Sequence, residues 1–140
     1  MNIYLFAAAV CTSIAALLHF ACIVFGAPLF RILGAGDVVV KMVEHGHSQP
    51  KWMAFLVGSG LLICSAYALS AAGVLKQLPL QRLVLCGLTL VLMARAMAFP
   101  WMKDFFQGNS EFFWWSSSAI CLLMGLLHAV GVVQVWKNLT

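Results

Sequence analysis

The chain has 140 residues, of which 64% are hydrophobic and only 9% are charged. Soluble domains carry about 25% charged residues, so this chain has too little polar surface to cover a globule in water. Its formal net charge is +4, but the basic residues are not interleaved with exposed aromatic residues as in nucleic-acid-binding proteins. Composition therefore argues against a soluble domain and a nucleic-acid partner, and it indicates an integral membrane protein.

Four apolar runs follow one another, each close to the roughly 20 residues that a helix needs to cross a ~30 Å hydrocarbon core. They cover residues 3–26, 52–73, 80–100 and 113–136. Peptide groups in lipid have no water to bond, so helix is the expected form for continuous apolar runs. The second and third connections are short. The sequence therefore predicts an all-α fold, an antiparallel bundle of four transmembrane helices that forms a single transmembrane domain over residues 1–140.

A polar segment, residues 27–51, connects the first two runs and is called the lid loop below. Residues 28–33 are predicted to form a short turn. Residues 37–45 are predicted to form a helix with Asp37 as N-cap and Gly46 just past its end. That helix is too short to span, so it is expected to lie at the interface or to fold back over the mouth of the bundle.

The orientation of the chain in the membrane is predicted from the lengths of its connections, because basic residues divide almost evenly between the two sides. With both termini inside, the inner segments hold Lys76, Arg82 and Lys137 and no acid. The short inner turn and the longer lid loop outside favour this arrangement. We therefore expect a bacterial inner-membrane protein with cytoplasmic termini. "Outer" denotes the side that carries the lid loop.

Three ionisable side chains lie inside the predicted spans, namely His19, Arg95 and His128. Polar groups in lipid are costly, so each is a candidate for function. Helical rise puts His19 and Arg95 at similar depths under the lid loop. Arg95 is a suitable residue to bind a lipid headgroup, a carboxylate or a phosphate. Its structural alternatives are snorkelling to the headgroup level and an ion pair with an acidic residue of a loop. His19 is a suitable residue to form a hydrogen bond with a ligand or to relay protons. The structural alternative is a hydrogen bond from its ring to a neighbouring helix.

The candidate ligand-binding residues share the outer mouth, between the lid loop and the outer ends of the spans. Aromatic residues crowd this side, and most of them are expected to form a belt at headgroup level. No catalytic residue is predicted. The candidates are His19, Arg31, Asp37, Glu44, Arg95 and Trp101.

No cofactor and no metal site are predicted. His45 and His47 point apart on a helix and form no HxxxH or HExxH pair. His19 and His128 differ in depth by roughly 10–12 Å of helical rise, which is too much for two ligands of one haem. The five cysteines form no CxxC pair and are expected to be small buried hydrophobic residues. The turn Gly34-Ala35-Gly36-Asp37 is similar to part of a phosphate-binding turn.

The strings PLFRILGAGD, YALSAAGVLKQLPLQR and LMARAMAFP resemble small bacterial four-span membrane proteins that are DoxX-like in size and character. In that pattern a spanning histidine, here His19, precedes an aromatic–Arg–x–x–Gly–Ala–Gly–acid loop, here residues 30–37. The resemblance implies a four-span inner-membrane protein and no particular activity.

Two functions fit these observations. The favoured one is a binding or accessory protein that holds a lipid-like, quinone-like or anionic amphipathic ligand at the outer mouth, or docks on a larger membrane complex, with membrane lipids and further copies of the chain as partners. The alternative is a small membrane enzyme acting on a lipid-like substrate at the same mouth. In it His19, Asp37 or Glu44 would be acid or base, and Arg95 would stabilise developing charge. Proton-coupled export has no support, because no predicted span contains Asp or Glu.

Overall fold

A computed structural model describes residues 1–140, and its regular secondary structure is all helical, with no strands. The all-α fold predicted from the sequence is therefore confirmed. The helices are α1 (Ile3–Phe25), α2 (Ala27–Ile32), α3 (Asp37–Glu44), α4 (Gln49–Ala71), α5 (Gln81–Met97), α6 (Phe99–Phe105) and α7 (Glu111–Val135), followed by a 3-10 turn at Trp136–Asn138.

Three helices are long and apolar enough to cross a membrane, namely α1, α4 and α7 with its 3-10 extension. Helix α5 has 17 residues, which gives a rise of about 25 Å, less than a ~30 Å core. It reaches spanning length only together with α6. The chain thus has three helices of spanning length, or four when α5 and α6 count as one span.

The apolar run at residues 80–100 is divided by a bend. Helices α5 and α6 meet at 75° around Ala98, so the single span expected there is not one straight helix. Pro100 explains the break, because it has no N–H for the carbonyl of Ala96 and its ring crowds that turn of helix. Pro100 thus marks the break in the sequence, but nothing in the run reports the size of the angle.

The long helices form a ring in which α1 packs mainly on α4 and α5 mainly on α7. Contacts between α1 and α7 and between α4 and α5 close the ring. Small residues allow the closest approaches. A Cβ atom at Gly58 of α4 would lie 3.0 Å from the ring of Phe20 and 3.2 Å from the carbonyl oxygen of Ala16, both on α1. Such close backbone contact is how helices associate in lipid, where burial of apolar surface gives no driving force.

Hydrogen bonds join the inner end of the bundle to both ends of the chain. The side-chain amide of Asn2 donates to Gln134 at 2.8 Å, and its backbone N–H donates to Ala72 at 2.9 Å. The backbone N–H of Arg82 donates to Thr140 at 2.9 Å. These bonds hold the inner end together, whereas the outer end carries the lid.

Ser70 is the centre of the buried polar contacts at the inner end. Its hydroxyl donates to the carbonyl of Lys76 at 2.6 Å, and it accepts from the backbone N–H of Leu78 at 3.0 Å. It also accepts from Nε2 of Gln81, which is only 1% exposed, at 2.8 Å. One hydroxyl therefore satisfies groups on the connection and on α5.

Replacing Ser70 with alanine should lower the free energy of unfolding by about 2 kcal/mol, because the buried amide of Gln81 loses its acceptor. Thermal unfolding in detergent measures the change. Thr89→Val is the control, since the hydroxyl of Thr89 bonds only to Leu85 of its own helix. Equal losses in both variants would contradict the role given to Ser70.

The lid loop folds back over the outer ends of α1 and α4. Phe30 of α2 and Val40 of α3 are buried against Cys22 of α1 and Ala54 of α4. The predicted lid helix is confirmed as α3, and Gly46 follows it with a φ of 82°. The prediction that Asp37 is the N-cap is wrong, because Gly36 is the N-cap and Asp37 is the first helical residue.

Candidate functional site

The lid loop is fastened to the connection between α6 and α7. The backbone N–H of Asp37 donates to the carbonyl of Gln107 at 2.9 Å. The side-chain amide of Asn109 donates to the carbonyl of Gly34 at 3.1 Å and to that of Phe106 at 3.2 Å. We call this arrangement the lid clasp, and its residues are Gly34, Gly36, Asp37, Phe106, Gln107, Gly108, Asn109 and Phe113.

Close packing explains the glycines of the lid clasp. Gly34 has a φ of 75°, and the ring of Phe113 fills the space that a Cβ atom would occupy. The carboxylate of Asp37 lies over Gly108 in the same manner. The Gly-Ala-Gly-Asp turn is thus occupied by the chain itself. Its similarity to a phosphate-binding turn reflects the backbone shape that both require.

Beneath the lid lies a cavity of about 320 Å³. Its walls come from α1, α2, α3, the outer end of α4 and Phe106. Ten of its thirteen lining residues are hydrophobic, and only His19 and Gln49 have nitrogen or oxygen atoms in their side chains. We call it the lid cavity. Its composition suits an apolar molecule with few polar atoms.

One wall of the lid cavity reaches the surface of the bundle. Met53 and Val57 of α4 are 58% and 47% exposed. Cys22 and Ala54 are buried on the opposite side, where α1 and α4 meet the lid. The lid cavity therefore extends from a side face of α4 toward the interior.

The contacts of His19 determine which of its nitrogens is free. Nδ1 lies 2.7 Å from the carbonyl oxygen of Ala15. Because a carbonyl only accepts, Nδ1 carries the hydrogen, and in the neutral ring Nε2 is the acceptor. Nε2 makes no hydrogen bond within the chain and is not among the buried unpartnered atoms. His19, which lines the lid cavity, thus keeps one ring nitrogen free to accept a hydrogen bond.

Arg31 and Glu44 form an ion pair across the lid, with 3.3 Å between Nη2 and Oε1. Their side chains are 64% and 47% exposed, and neither lines the lid cavity. Trp101 is on α6, is 70% exposed and also lies outside the cavity. Together with Asp37 in the lid clasp, these candidates surround the outer end and do not form one cluster.

Arg95 lies between α5 and α7, away from the lid cavity. Its Nη2 donates to the hydroxyl of Ser117 at 3.2 Å, and its guanidinium carbon lies 5.5 Å from the centre of the Trp114 ring. No ion pair joins Arg95 to an acidic residue, so that alternative is not realised. Nη1 is buried without a hydrogen-bond partner. The face of Trp114 offers the charge a cation–π contact instead.

His128 is fully buried in α7. Its Nδ1 lies 2.9 Å from the carbonyl oxygen of Met124, and its Nε2 is buried without a partner. His128 is not among the residues of the lid cavity. No group of three or more His, Cys, Asp or Glu side chains is close enough to hold one metal ion.

The apolar walls of the lid cavity were not predicted from the sequence. Cys22 follows His19 by three residues and therefore shares its helix face, which is a signal that pairs the two. Ala54, Met53 and Val57 carry no such signal, because an apolar residue that lines a cavity looks like any other residue in an apolar run. Phe113 of the lid clasp is one of the aromatic residues that crowd the outer side, and most of those residues are expected to form the aromatic belt.

The fold and the site define a small all-helical protein with three or four helices of spanning length and an apolar cavity under a helical lid. No family model, no curated protein and no solved structure matches the chain. Its function is therefore argued from the chemistry of the site.

Proposed function

We propose that the protein is an integral membrane binding protein that holds an apolar, lipid-like or quinone-like molecule in the lid cavity. It would lie in a bacterial inner membrane with cytoplasmic termini and the lid at the outer face. The observation that carries the proposal is the apolar cavity of about 320 Å³ with His19 in its wall. Ligand sites typically enclose about 300–1,000 Å³ with mainly apolar walls and a few polar groups.

The size of the cavity suits a ring or the head end of a longer molecule. The exposed side chains of Met53 and Val57 border its open side. In a membrane this side of α4 would face lipid chains. A tail that extends past these two residues would therefore remain in an apolar medium.

The charges around the cavity favour a neutral ligand over an anionic one. No Lys, Arg, Asp or Glu lines the lid cavity. Arg31 is paired with Glu44, and Arg95 contacts Ser117 and Trp114. An anionic head placed in the cavity would lack a partner, which makes its burial costly.

Replacing Ala54 with leucine tests the proposal. Ala54 is 6% exposed and lines the lid cavity, so a larger side chain there would fill the space for the ligand. We expect the amount of apolar molecule that copurifies with the protein to fall at least fivefold. The measurement is mass spectrometry of solvent extracts from protein purified in detergent.

Gly60→Leu is the matched control for this experiment. Gly60 lies on the same helix, and a Cβ atom there would meet nothing within 4 Å. This variant should keep the wild-type amount of copurifying molecule. A molecule retained equally by Ala54→Leu, or absent from all three proteins, would contradict the proposed binding function.

A further inference from the structure

We infer that the molecule bound in the lid cavity carries a hydroxyl group, on a neutral and otherwise apolar skeleton, and that this hydroxyl donates a hydrogen bond to Nε2 of His19. The inference rests on the proposed function, because it concerns the ligand of the same cavity. Its evidence is the hydrogen bonding of His19 and the composition of the cavity walls.

The first step is the direction of the hydrogen bond that His19 can make. Its Nδ1 hydrogen is used by the carbonyl of Ala15 at 2.7 Å. The neutral ring then has only the lone pair of Nε2 to offer. A lone pair attracts a hydroxyl hydrogen and repels a ketone, ester or ether oxygen. The site therefore distinguishes donors from acceptors.

The second step is the charge of the ring. No carboxylate lines the lid cavity to compensate an imidazolium, and an uncompensated charge in apolar surroundings is costly. The neutral ring, with Nε2 as its acceptor, is therefore the form that suits these apolar walls.

The third step excludes competing polar contacts. Gln49 is the other lining residue with polar side-chain atoms, and it is exposed at the start of α4. Its amide both donates and accepts, so it does not select between a hydroxyl and a carbonyl. The selection between a hydroxyl and a carbonyl therefore depends on His19. His19 lies on the α1 wall, and the apolar side chains of Met53 and Val57 border the open side.

Two sources of such a hydroxyl group fit equally, a long-chain aliphatic alcohol and a phenol or hydroquinone with an apolar tail. Each offers at least one hydroxyl donor on an apolar skeleton. The experiment therefore uses one probe of each kind.

The test is photocrosslinking at pH 8 with purified protein in lipid nanodiscs. The probes are hexadecanol with a diazirine in its chain and a decylhydroquinone with a diazirine in its tail. Each is paired with an analogue in which fluorine replaces every hydroxyl, which keeps the size similar and removes the donor. Labelling of Met42 and Met53 in the cavity is measured by mass spectrometry. It is divided by the labelling of Phe112, which is 82% exposed outside the cavity.

We expect at least one hydroxyl probe to label the cavity about fivefold more than its fluorinated partner, as the net value of one hydrogen bond implies. The probe that shows this preference identifies the aliphatic or the phenolic source. A preference by both would mean that the hydroxyl alone is recognised. The wild-type comparison does not depend on the folding of any variant.

Two histidine variants assign the preference to a residue. In the His19→Phe variant, a hydroxyl probe and its fluorinated analogue should label the cavity equally. His45→Phe should keep the preference, since Nδ1 of His45 lies 2.7 Å from the carbonyl of Lys41 in the same manner as His19, but outside the cavity. A preference that survives His19→Phe would overturn the inference.

Other outcomes separate the inference from the proposed function. Equal cavity labelling by hydroxyl and fluorinated probes, lowered for both by Ala54→Leu, would overturn the hydroxyl inference and leave the binding function standing. Cavity labelling that does not exceed that of Phe112 with any probe would contradict both.

Discussion

Replacing Gly34 with alanine is expected to release the lid from the bundle and to lower the free energy of unfolding by about 3 kcal/mol. Gly34 has a φ of 75°, and a left-handed conformation costs a residue with a Cβ atom roughly 1–2 kcal/mol. The new methyl group would also overlap the ring of Phe113. Over-packing of this kind adds about 1–3 kcal/mol.

Gly46→Ala separates these two contributions. Gly46 has a φ of 82°, but a Cβ atom there would meet nothing within 4 Å. This control should therefore show only the cost of the backbone conformation. Thermal unfolding in detergent measures the stability of both variants, and limited proteolysis between residues 27 and 48 measures release of the lid. Similar effects of the two substitutions would show that Phe113 does not hold the lid.

Replacing Gly131 with leucine is expected to separate α1 from α7, again at a cost of about 3 kcal/mol. A Cβ atom at Gly131 would lie 2.5 Å from Cγ of Leu5 and 3.0 Å from its backbone nitrogen. Leu5 is fully buried and belongs to the largest cluster of the core. The backbone of Leu5 cannot shift as the end of a flexible side chain can. Helices α1 and α7 must therefore move apart.

Gly87→Leu is the control for the contact between α1 and α7. Gly87 lies in α5, and a Cβ atom there would meet nothing within 4 Å. Leucine also has the higher helix propensity, so Gly87→Leu should leave the thermal unfolding temperature unchanged or raise it. A fall as large as that of Gly131→Leu would mean that both substitutions act on the helix and not on the contact.

The sequence predicted the features that depend on local pattern. Apolar runs located the long helices, and Gly46 marked the end of α3. Ser110 is of a residue type common at N-caps, and its hydroxyl caps α7 by accepting from the backbone N–H of Phe113 at 3.1 Å. Each of these signals lies within a few residues of the structure that it determines, which is why one sequence is enough to find it.

Features that depend on distant partners were missed. The N–H of Asp37 bonds to Gln107, seventy residues along the chain, and no local signal reports that bond. Likewise Arg95 contacts Trp114 and Ser117, whereas the sequence predicted a headgroup, an anionic ligand or a loop acid as its partner. His19 was found because a histidine in an apolar run is conspicuous, but the cavity beside it depends on how four helices meet.

The exposed wall at Met53 and Val57 has a consequence for how binding would be measured. Under the proposed function, a molecule that enters past these side chains would come from the bilayer and would return to it. The ratio of ligand to lipid would then set the fraction of occupied sites. The solubility of the ligand in water would not affect that fraction. Adding buffer to loaded vesicles would leave that fraction unchanged, whereas fusing them with ligand-free vesicles would lower it.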